Sequence, residues 1–234
     1  MPKHLVNFGA AITAALIAAS CNSANSTPRA EASTAPATSK ATTTATDDPM
    51  LAAADKGRIA GDSAAKTWVI VASDFQCPFC KQWHDESYKP FVDEYVRTGK
   101  VKVAYLNFPL GQHRNAVPTA QAAMCASAQN RFWQYHDALF NSQDRWKDMS
   151  DIRPVLDSIA RSVGVNFDTW SNCLTSDKML PLVFADRDRA SSAGVQSTPT
   201  FLVAGQVIAG AVPMADLRPI LDSAIAKSGS APAR

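Results

Sequence analysis

The apolar residues of the chain fall into short β-branched runs and into longer stretches with helical spacing. TWVIVAS at 67–73 is continuously apolar and too short for a helix, which predicts a buried central strand. VKVAYLNFPL at 101–110 predicts a second strand, and TPTFLVAGQVIAGA at 198–211 predicts a hairpin that turns at Gly205. These runs predict a sheet with at least one hairpin.

The stretch between the second strand and the hairpin has a helical period. Its apolar side chains recur every three or four residues, which predicts helix faces turned toward a core: Phe132, His136, Leu139 and Phe140, then Ile152, Val155, Leu156, Ile159 and Val163. His136 is expected to pack there and not to act as a ligand. MADLRPILDSAIA at 214–226 predicts a closing helix. The order of elements indicates an α/β fold in which about 112–193 form a helical insertion.

Composition limits the size and the partners of this fold. The chain has 234 residues, of which 46% are hydrophobic, enough for one core with an inserted subdomain. The formal net charge is +2, and Lys and Arg are scattered among Asp and Glu. Because a phosphate-binding surface needs clustered basic residues, nucleic acid is not expected as a partner.

The N-terminal region has the pattern of an export signal. A positive start, MPKH, precedes an apolar stretch at 9–19 that is too short to span a membrane. The stretch ends in AASC, which resembles a bacterial lipoprotein signal, so we expect 1–21 to be a signal peptide with Cys21 lipidated. Ala18 departs from that pattern and leaves ordinary cleavage as the alternative. Residues 22–56 are rich in Ala, Ser, Thr and Pro and are expected to be a disordered tether.

Because disulfides persist in exported proteins, the cysteines of this chain are candidates for disulfide pairs. With Cys21 assigned to the signal, four cysteines remain, and their simplest partition is Cys77 with Cys80 and Cys125 with Cys173. Two buried free thiols are the alternative for the second pair.

The motif CPFC directly follows the first predicted strand. If Cys77 is a helix N-cap, Pro78 occupies the first helical position, which suits proline. The helix N-terminus should then lower the pKa of Cys77 and make it the exposed nucleophile, with Cys80 one turn on as the resolving thiol. A zinc site lacks further ligands at suitable spacing, and a structural staple would close too short a loop. We expect a redox pair with no metal and no other cofactor.

Several segments together resemble the DsbA-like family of exported thiol-disulfide oxidoreductases over about 57–226. The resemblance is carried by GRIAGD at 57–62, SDFQCPFC at 73–80, FPL with HRNA at 108–116, AAMCA at 122–126, FWQYHDALF at 132–140 and STPTFLVAG at 197–205. It implies a thioredoxin fold with a helical insertion over 57–228 and a redox pair at Cys77 and Cys80 around the dipeptide Pro78 and Phe79. It also implies a cis-proline loop at Thr198 and Pro199, where a peptide substrate can pair, and it supports a structural disulfide between Cys125 and Cys173.

Two departures from that family concern proton handling and redox strength. Many relatives carry a buried Glu in the first strand where this chain has Val71, so Asp74 or water is the candidate substitute. Phe79 stands where the strongest oxidants have a His that can bond the thiolate. The reduction potential is therefore not transferred from the family.

The resulting expectation is a periplasmic, membrane-tethered oxidase that introduces disulfides into substrate proteins with free thiols. A membrane quinone-linked oxidase would regenerate it. One alternative is an isomerase or reductase kept reduced by a thioredoxin-like donor, and another is a non-catalytic substrate-binding or chaperone module. Because 22–56 are too polar to form a dimerisation module, a monomer is expected.

Overall fold

The computed structural model describes residues 48–230, which form a five-stranded mixed sheet covered by helices. In chain order the elements before the insertion are α1 (Pro49–Gly57), β1 (Ile59–Ala60), β2 (Thr67–Ser73), α2 (Pro78–Trp83), π1 (His84–Tyr88), α3 (Lys89–Phe91), π2 (Val92–Val96) and β3 (Val101–Asn107). The insertion contains α4 (Ala116–Ser127), α5 (Phe132–Asn141), α6 (Gln143–Trp146), α7 (Arg153–Ser162), α8 (Phe167–Thr175) and α9 (Leu180–Ser192). The chain then forms β4 (Thr200–Val203), β5 (Gln206–Ala209) and α10 (Met214–Ser230). Over residues 48–230, no helix combines the length and the apolar character that crossing a membrane requires.

β2 lies at the centre of the sheet, whose strand order is β1-β3-β2-β4-β5. It pairs with β3 in parallel and with β4 in antiparallel orientation, so that Val71 is opposite both Tyr105 and Phe201. β4 and β5 form the predicted hairpin, and its two turn residues, Ala204 and Gly205, have positive φ values of 48° and 81° as a tight hairpin turn requires. The predicted α/β class and the order of its elements are confirmed.

Two large hydrophobic clusters and a smaller third one, around Ala72 and Phe108, hold the sheet between its helices. One large cluster joins β2, β4, α10 and the helical run after the CPFC motif, and the other is built mainly from the insertion helices. The predicted core faces are confirmed: Phe132, Leu139 and Phe140 are buried, and the side chain of His136 is buried with them. In the next stripe Ile152, Leu156 and Ile159 are buried, whereas Val155 and Val163 are partly buried against the same cluster.

The predicted tether is wrong at its C-terminal end, because 49–56 belong to helix α1. Asp48 caps this helix by accepting hydrogen bonds from the Met50 and Leu51 N–H groups. Leu51 and Ala54 lie one turn apart and are buried on one face, a short apolar stripe that is hidden within an alanine-rich sequence. The folded region therefore begins before residue 57. The predicted signal peptide, Cys21 and the rest of the tether lie outside the described residues.

Helix α1 is held to α4 by a close backbone contact. The Ser127 hydroxyl donates to the Ala54 carbonyl at 2.6 Å, and a Cβ added to Gly57 would lie 2.2 Å from the Ser127 carbonyl oxygen. Only glycine fits this contact without moving the two helices apart.

We therefore expect Gly57→Ala to lower the free energy of unfolding by about 1–3 kcal/mol, the usual cost of overpacking. Gly111→Ala is the matched control, since a Cβ there meets no atom within 4 Å, and it should change stability by less than about 0.5 kcal/mol. Urea denaturation of the two variants tests this. Equal stabilities would show that α1 does not dock on α4 in this way.

Candidate active site

The CPFC motif lies at the junction between β2 and α2. The backbone turns after Ser73, and the Cys77 N–H donates to the Asp74 carbonyl at 3.1 Å. Cys77 is the N-cap of α2 with extended dihedrals of φ −68° and ψ 126°, and Pro78 occupies the first turn. The sulfur of Cys77 is therefore at the N-terminal end of the helix, where the unpaired N–H groups and the helix dipole favour an anion.

Hydrogen bonds around Cys77 stabilise its thiolate. The pKa of Cys77 is lowered to about 6, chiefly by a hydrogen bond from the Cys80 thiol and further by the Thr198 side chain and the N–H groups of Cys80 and Phe79. Burial opposes this shift without cancelling it. In the neutral form, the Cys77 thiol donates to the Thr198 carbonyl oxygen at 3.4 Å. Cys77 is thus the thiol that ionises near neutral pH.

The pKa of Cys80 is shifted in the opposite direction to that of Cys77. Cys80 is 1% exposed, and burial raises its pKa well above the usual value, with the neighbouring Cys77 adding to the shift. The Ser73 hydroxyl and the Asp74 backbone lower the pKa in part. Cys77 and Cys80 are both free thiols. The pair therefore consists of a Cys77 thiol that ionises readily and a Cys80 thiol that stays protonated and can supply a proton to Cys77.

The expectation of an exposed Cys77 is wrong, since this residue is only 3% exposed. The N-cap residue is enclosed by the Thr198 loop on one side and by the insertion on the other, where Gln143 donates to the Cys77 carbonyl at 3.1 Å. The exposed residues of the motif are Pro78 and Phe79, and Phe79 is 60% exposed. A substrate sulfur must therefore reach a largely buried Cys77 beside the exposed apolar side chain of Phe79.

The peptide bond between Thr198 and Pro199 is cis, as the family resemblance implies. Both residues are buried. The Pro199 carbonyl accepts from the Gly210 N–H at 2.8 Å, which ties the loop to the far end of the hairpin. The hairpin thus carries the Thr198 carbonyl to the Cys77 sulfur.

Asp74, the candidate substitute for the missing Glu, is buried and holds the loop before the CPFC motif in place through hydrogen bonds. One carboxylate oxygen accepts from the Gln76 N–H at 2.7 Å, and the other accepts from the Leu110 N–H at 2.9 Å and contacts His113 Nδ1 at 2.8 Å. Burial raises the pKa of Asp74, although these hydrogen bonds oppose the shift. Val71 itself is 6% exposed and apolar, so it cannot carry a proton.

Hydrogen bonds of side-chain amides connect the insertion to this loop. Gln143 Nε2 donates to the Phe75 carbonyl at 2.7 Å as well as to Cys77. Gln76 donates to the Lys147 carbonyl at 2.6 Å and accepts from the Asn115 N–H at 2.7 Å. Sequence reasoning missed Gln143, because a single amide side chain has no characteristic spacing and acquires its role only from the backbone that the fold places beside it.

Cys125 and Cys173 form a disulfide, with a Cα–Cα distance of 5.9 Å. The bond joins α4 to α8 inside the insertion and spans 48 residues of sequence. The structure thus brings together the second predicted cysteine pair, away from the CPFC motif.

Within residues 48–230, one set of His, Cys, Asp and Glu side chains has donor atoms grouped closely enough to hold a metal ion, namely His84, His136 and Asp137. Residue spacing does not indicate this set, because His84 lies 52 positions before His136 and only the fold brings them together.

Comparison with known proteins agrees with the fold. The family model described as Thioredoxin matches residues 53–223. A Bacillus anthracis protein named as a disulfide bond formation protein D is 27% identical over 150 residues, which are 63% of this chain and 69% of that protein. A Rickettsia typhi protein named as a protein-disulfide oxidoreductase is 28% identical over 143 residues, 60% of this chain and 52% of that relative.

Solved structures show the same fold. BdbD from Bacillus subtilis in its oxidised form superposes with a TM-score of 0.66 at 21% identity, covering 73% of this chain and 94% of that one. The α-DsbA1 of Wolbachia pipientis gives a TM-score of 0.65 at 22% identity, over 73% of this chain and 92% of its own. The expected thioredoxin fold with a helical insertion is confirmed, as is the DsbA-like resemblance.

The two thiols of the reduced protein should titrate separately. We expect the thiolate ultraviolet absorbance to rise through a transition at about pH 6, which Cys77→Ser removes. Cys80→Ala should move this transition to higher pH, because the largest stabilising hydrogen bond is lost. Cys80→Ser keeps a hydroxyl donor and should move it less. An unchanged transition in Cys80→Ala would show that the Cys80 thiol does not stabilise the Cys77 thiolate.

Proposed function

The chain belongs to the thioredoxin family and is DsbA-like, and from this we propose that it is an exported thiol-disulfide oxidoreductase that introduces disulfides into other proteins through Cys77 and Cys80. The observation that carries the proposal is the contrast between the two thiols. The pKa of Cys77 is lowered to about 6, whereas that of the buried Cys80 is raised. An incidental cysteine pair in a non-catalytic module has no need of this contrast.

The contrast supports the following roles in the exchange. In the oxidised enzyme a substrate thiolate attacks the Cys77 sulfur, the Cys77–Cys80 bond breaks, and Cys80 leaves with the electron pair and takes up a proton. A second substrate thiolate then attacks the substrate sulfur of the mixed disulfide. The substrate disulfide forms and Cys77 leaves as a thiolate, for which a low pKa makes it a good leaving group. The enzyme ends two electrons more reduced.

The surroundings of Cys77 support a protein substrate. Phe79 is 60% exposed next to the nucleophile and offers an apolar contact. On the opposite side lies the Thr198 loop, where we propose that the backbone beside Thr198 pairs with an extended substrate peptide as an added strand. Both contacts suit a partly unfolded chain that presents a cysteine between apolar residues.

We place this activity in the periplasm, in a monomer tethered to the membrane through a lipidated Cys21. The support is the signal-like pattern of 1–21 and the polar tether that follows it. A membrane quinone-linked oxidase would accept the two electrons and restore the disulfide.

Trapping of mixed disulfides tests the assigned roles. In cells that express Cys80→Ser, the Cys77 thiolate attacks a disulfide bond of a substrate protein, and one substrate sulfur leaves as a thiolate. The other substrate sulfur stays bonded to Cys77, because no Cys80 thiol is present to displace it. We expect adducts of higher mass on non-reducing gels that disappear on reduction. Cys77→Ser is the matched control and should give none. Equal adducts from both variants would contradict the assignment of Cys77 as nucleophile.

A further inference from the structure

A second cluster of reactive side chains begins about one helical turn beyond the CPFC motif. His84 begins π1, on the same continuous helical run as Cys77, and His136 and Asp137 project from α5. Asp137 Oδ1 lies 2.8 Å from His136 Nδ1 and 3.5 Å from His84 Nε2. The three donor atoms lie within 4.8 Å of one another.

The spacing of these atoms is close to that of ligands around one small metal ion. In a tetrahedral zinc site with bonds of about 2.0–2.2 Å, neighbouring ligand atoms are about 3.3–3.5 Å apart. The separation of His84 Nε2 from Asp137 Oδ1 has this value, whereas 3.5 Å is long for a hydrogen bond. His136 Nδ1 and Asp137 Oδ1 are closer, at 2.8 Å, so an ion bound by both would need the partly exposed Asp137 carboxylate to move away from His136 by about 0.5–0.7 Å.

The orientation of the His84 ring also suits a metal ligand. Its two ring nitrogens face two different carboxylates, Asp85 at 3.3 Å from Nδ1 and Asp137 at 3.5 Å from Nε2. A neutral imidazole has one N–H, so it leaves a lone pair facing one of the carboxylates. If Nδ1–H donates to Asp85, Nε2 is free to ligate, which is the arrangement in which a carboxylate orients a metal-binding histidine.

Neighbouring charges leave Asp137 available. Lys89 and Arg97 both pair with Asp93. Among the described residues, the ion pairs of Asp137 are with the two histidines.

The cluster has an entry path and an open side. A cavity of about 850 Å³ is lined by His84, Asp137, Tyr88 and Trp133, and the side chain of Asp137 is 46% exposed. His136 lies behind it, 4% exposed, packed among aromatic rings that include Tyr105 and Phe140. Two imidazoles and one carboxylate would thus hold the ion from the protein side and leave a coordination position for water or a small ligand.

We propose that His84, His136 and Asp137 form a binding site for a divalent transition metal ion of the zinc class, separate from the redox pair. The donor set, two nitrogens and one oxygen with no thiolate, suits Zn²⁺, Co²⁺ or Ni²⁺ better than Ca²⁺ or Mg²⁺. The site joins the helical run that starts at Cys77 to the insertion helix α5. A bound ion would therefore hold together the two parts of the protein that flank the CPFC motif.

Titration with zinc chloride tests the proposal on the full-length oxidised protein, treated with iodoacetamide so that no free thiol can bind metal. We expect one equivalent to bind by calorimetry. His84→Gln and Asp137→Asn should each weaken binding by more than about 100-fold, and Asp85→Asn by roughly 10-fold as expected for loss of an orienting carboxylate. His113→Gln is the matched control and should bind as the parent does. The melting temperatures of the metal-free variants show whether each one is folded.

Cobalt chloride gives a readout that does not depend on any variant. Co²⁺ bound to the parent should show visible ligand-field bands without a thiolate charge-transfer band. Three results would overturn the proposal: no saturable binding by the parent, unchanged affinity in folded His84→Gln, or an equal loss in His113→Gln. In the first case the cluster is a hydrogen-bonded triad only.

Discussion

The hydrogen bond from the Cys80 thiol to the Cys77 sulfur is the interaction on which the chemistry of this protein depends. It is the largest contribution to the lowered pKa of Cys77, and it is made because α2 places the two residues one turn apart with Cys77 as N-cap. Burial acts on the two thiols in the same direction, yet only Cys77 receives enough hydrogen bonds to overcome it. A single helix start therefore separates a nucleophile from a proton donor.

The remainder of the fold keeps this helix start in place. β2 delivers the chain to the motif, the hairpin brings the Thr198 carbonyl to within 3.4 Å of the Cys77 sulfur, and Gln143 fixes the Phe75 and Cys77 carbonyls from the insertion. The insertion is thus a structural part of the active site as well as its cover. This arrangement also explains the burial of Cys77, because the loop and the insertion that orient its sulfur enclose it.

The sequence predicted those features that depend on local pattern. TWVIVAS was identifiable as a strand by its continuous apolar run, and Pro78 marked Cys77 as a helix N-cap. Helix α1 was missed because its two buried residues lie within an alanine-rich stretch that has the composition of a tether. Gln143 and the cluster of His84 with His136 were missed for a different reason: their roles depend on contacts between residues far apart in sequence, which no spacing rule encodes. The cis bond before Pro199 came from the family resemblance alone, since nothing local distinguishes that proline.

The reduction potential of the Cys77–Cys80 couple tests the central claim most directly, since a stabilised Cys77 thiolate favours the reduced enzyme and makes its disulfide a better oxidant. A Cys77 pKa of about 6 lies between the reference values of about 7 for thioredoxin and about 3.5 for DsbA. We predict a potential between those of the same two proteins, above about −270 mV and below about −120 mV, by equilibration with glutathione buffers. A value at or below that of thioredoxin would contradict the oxidase assignment and favour a reductase.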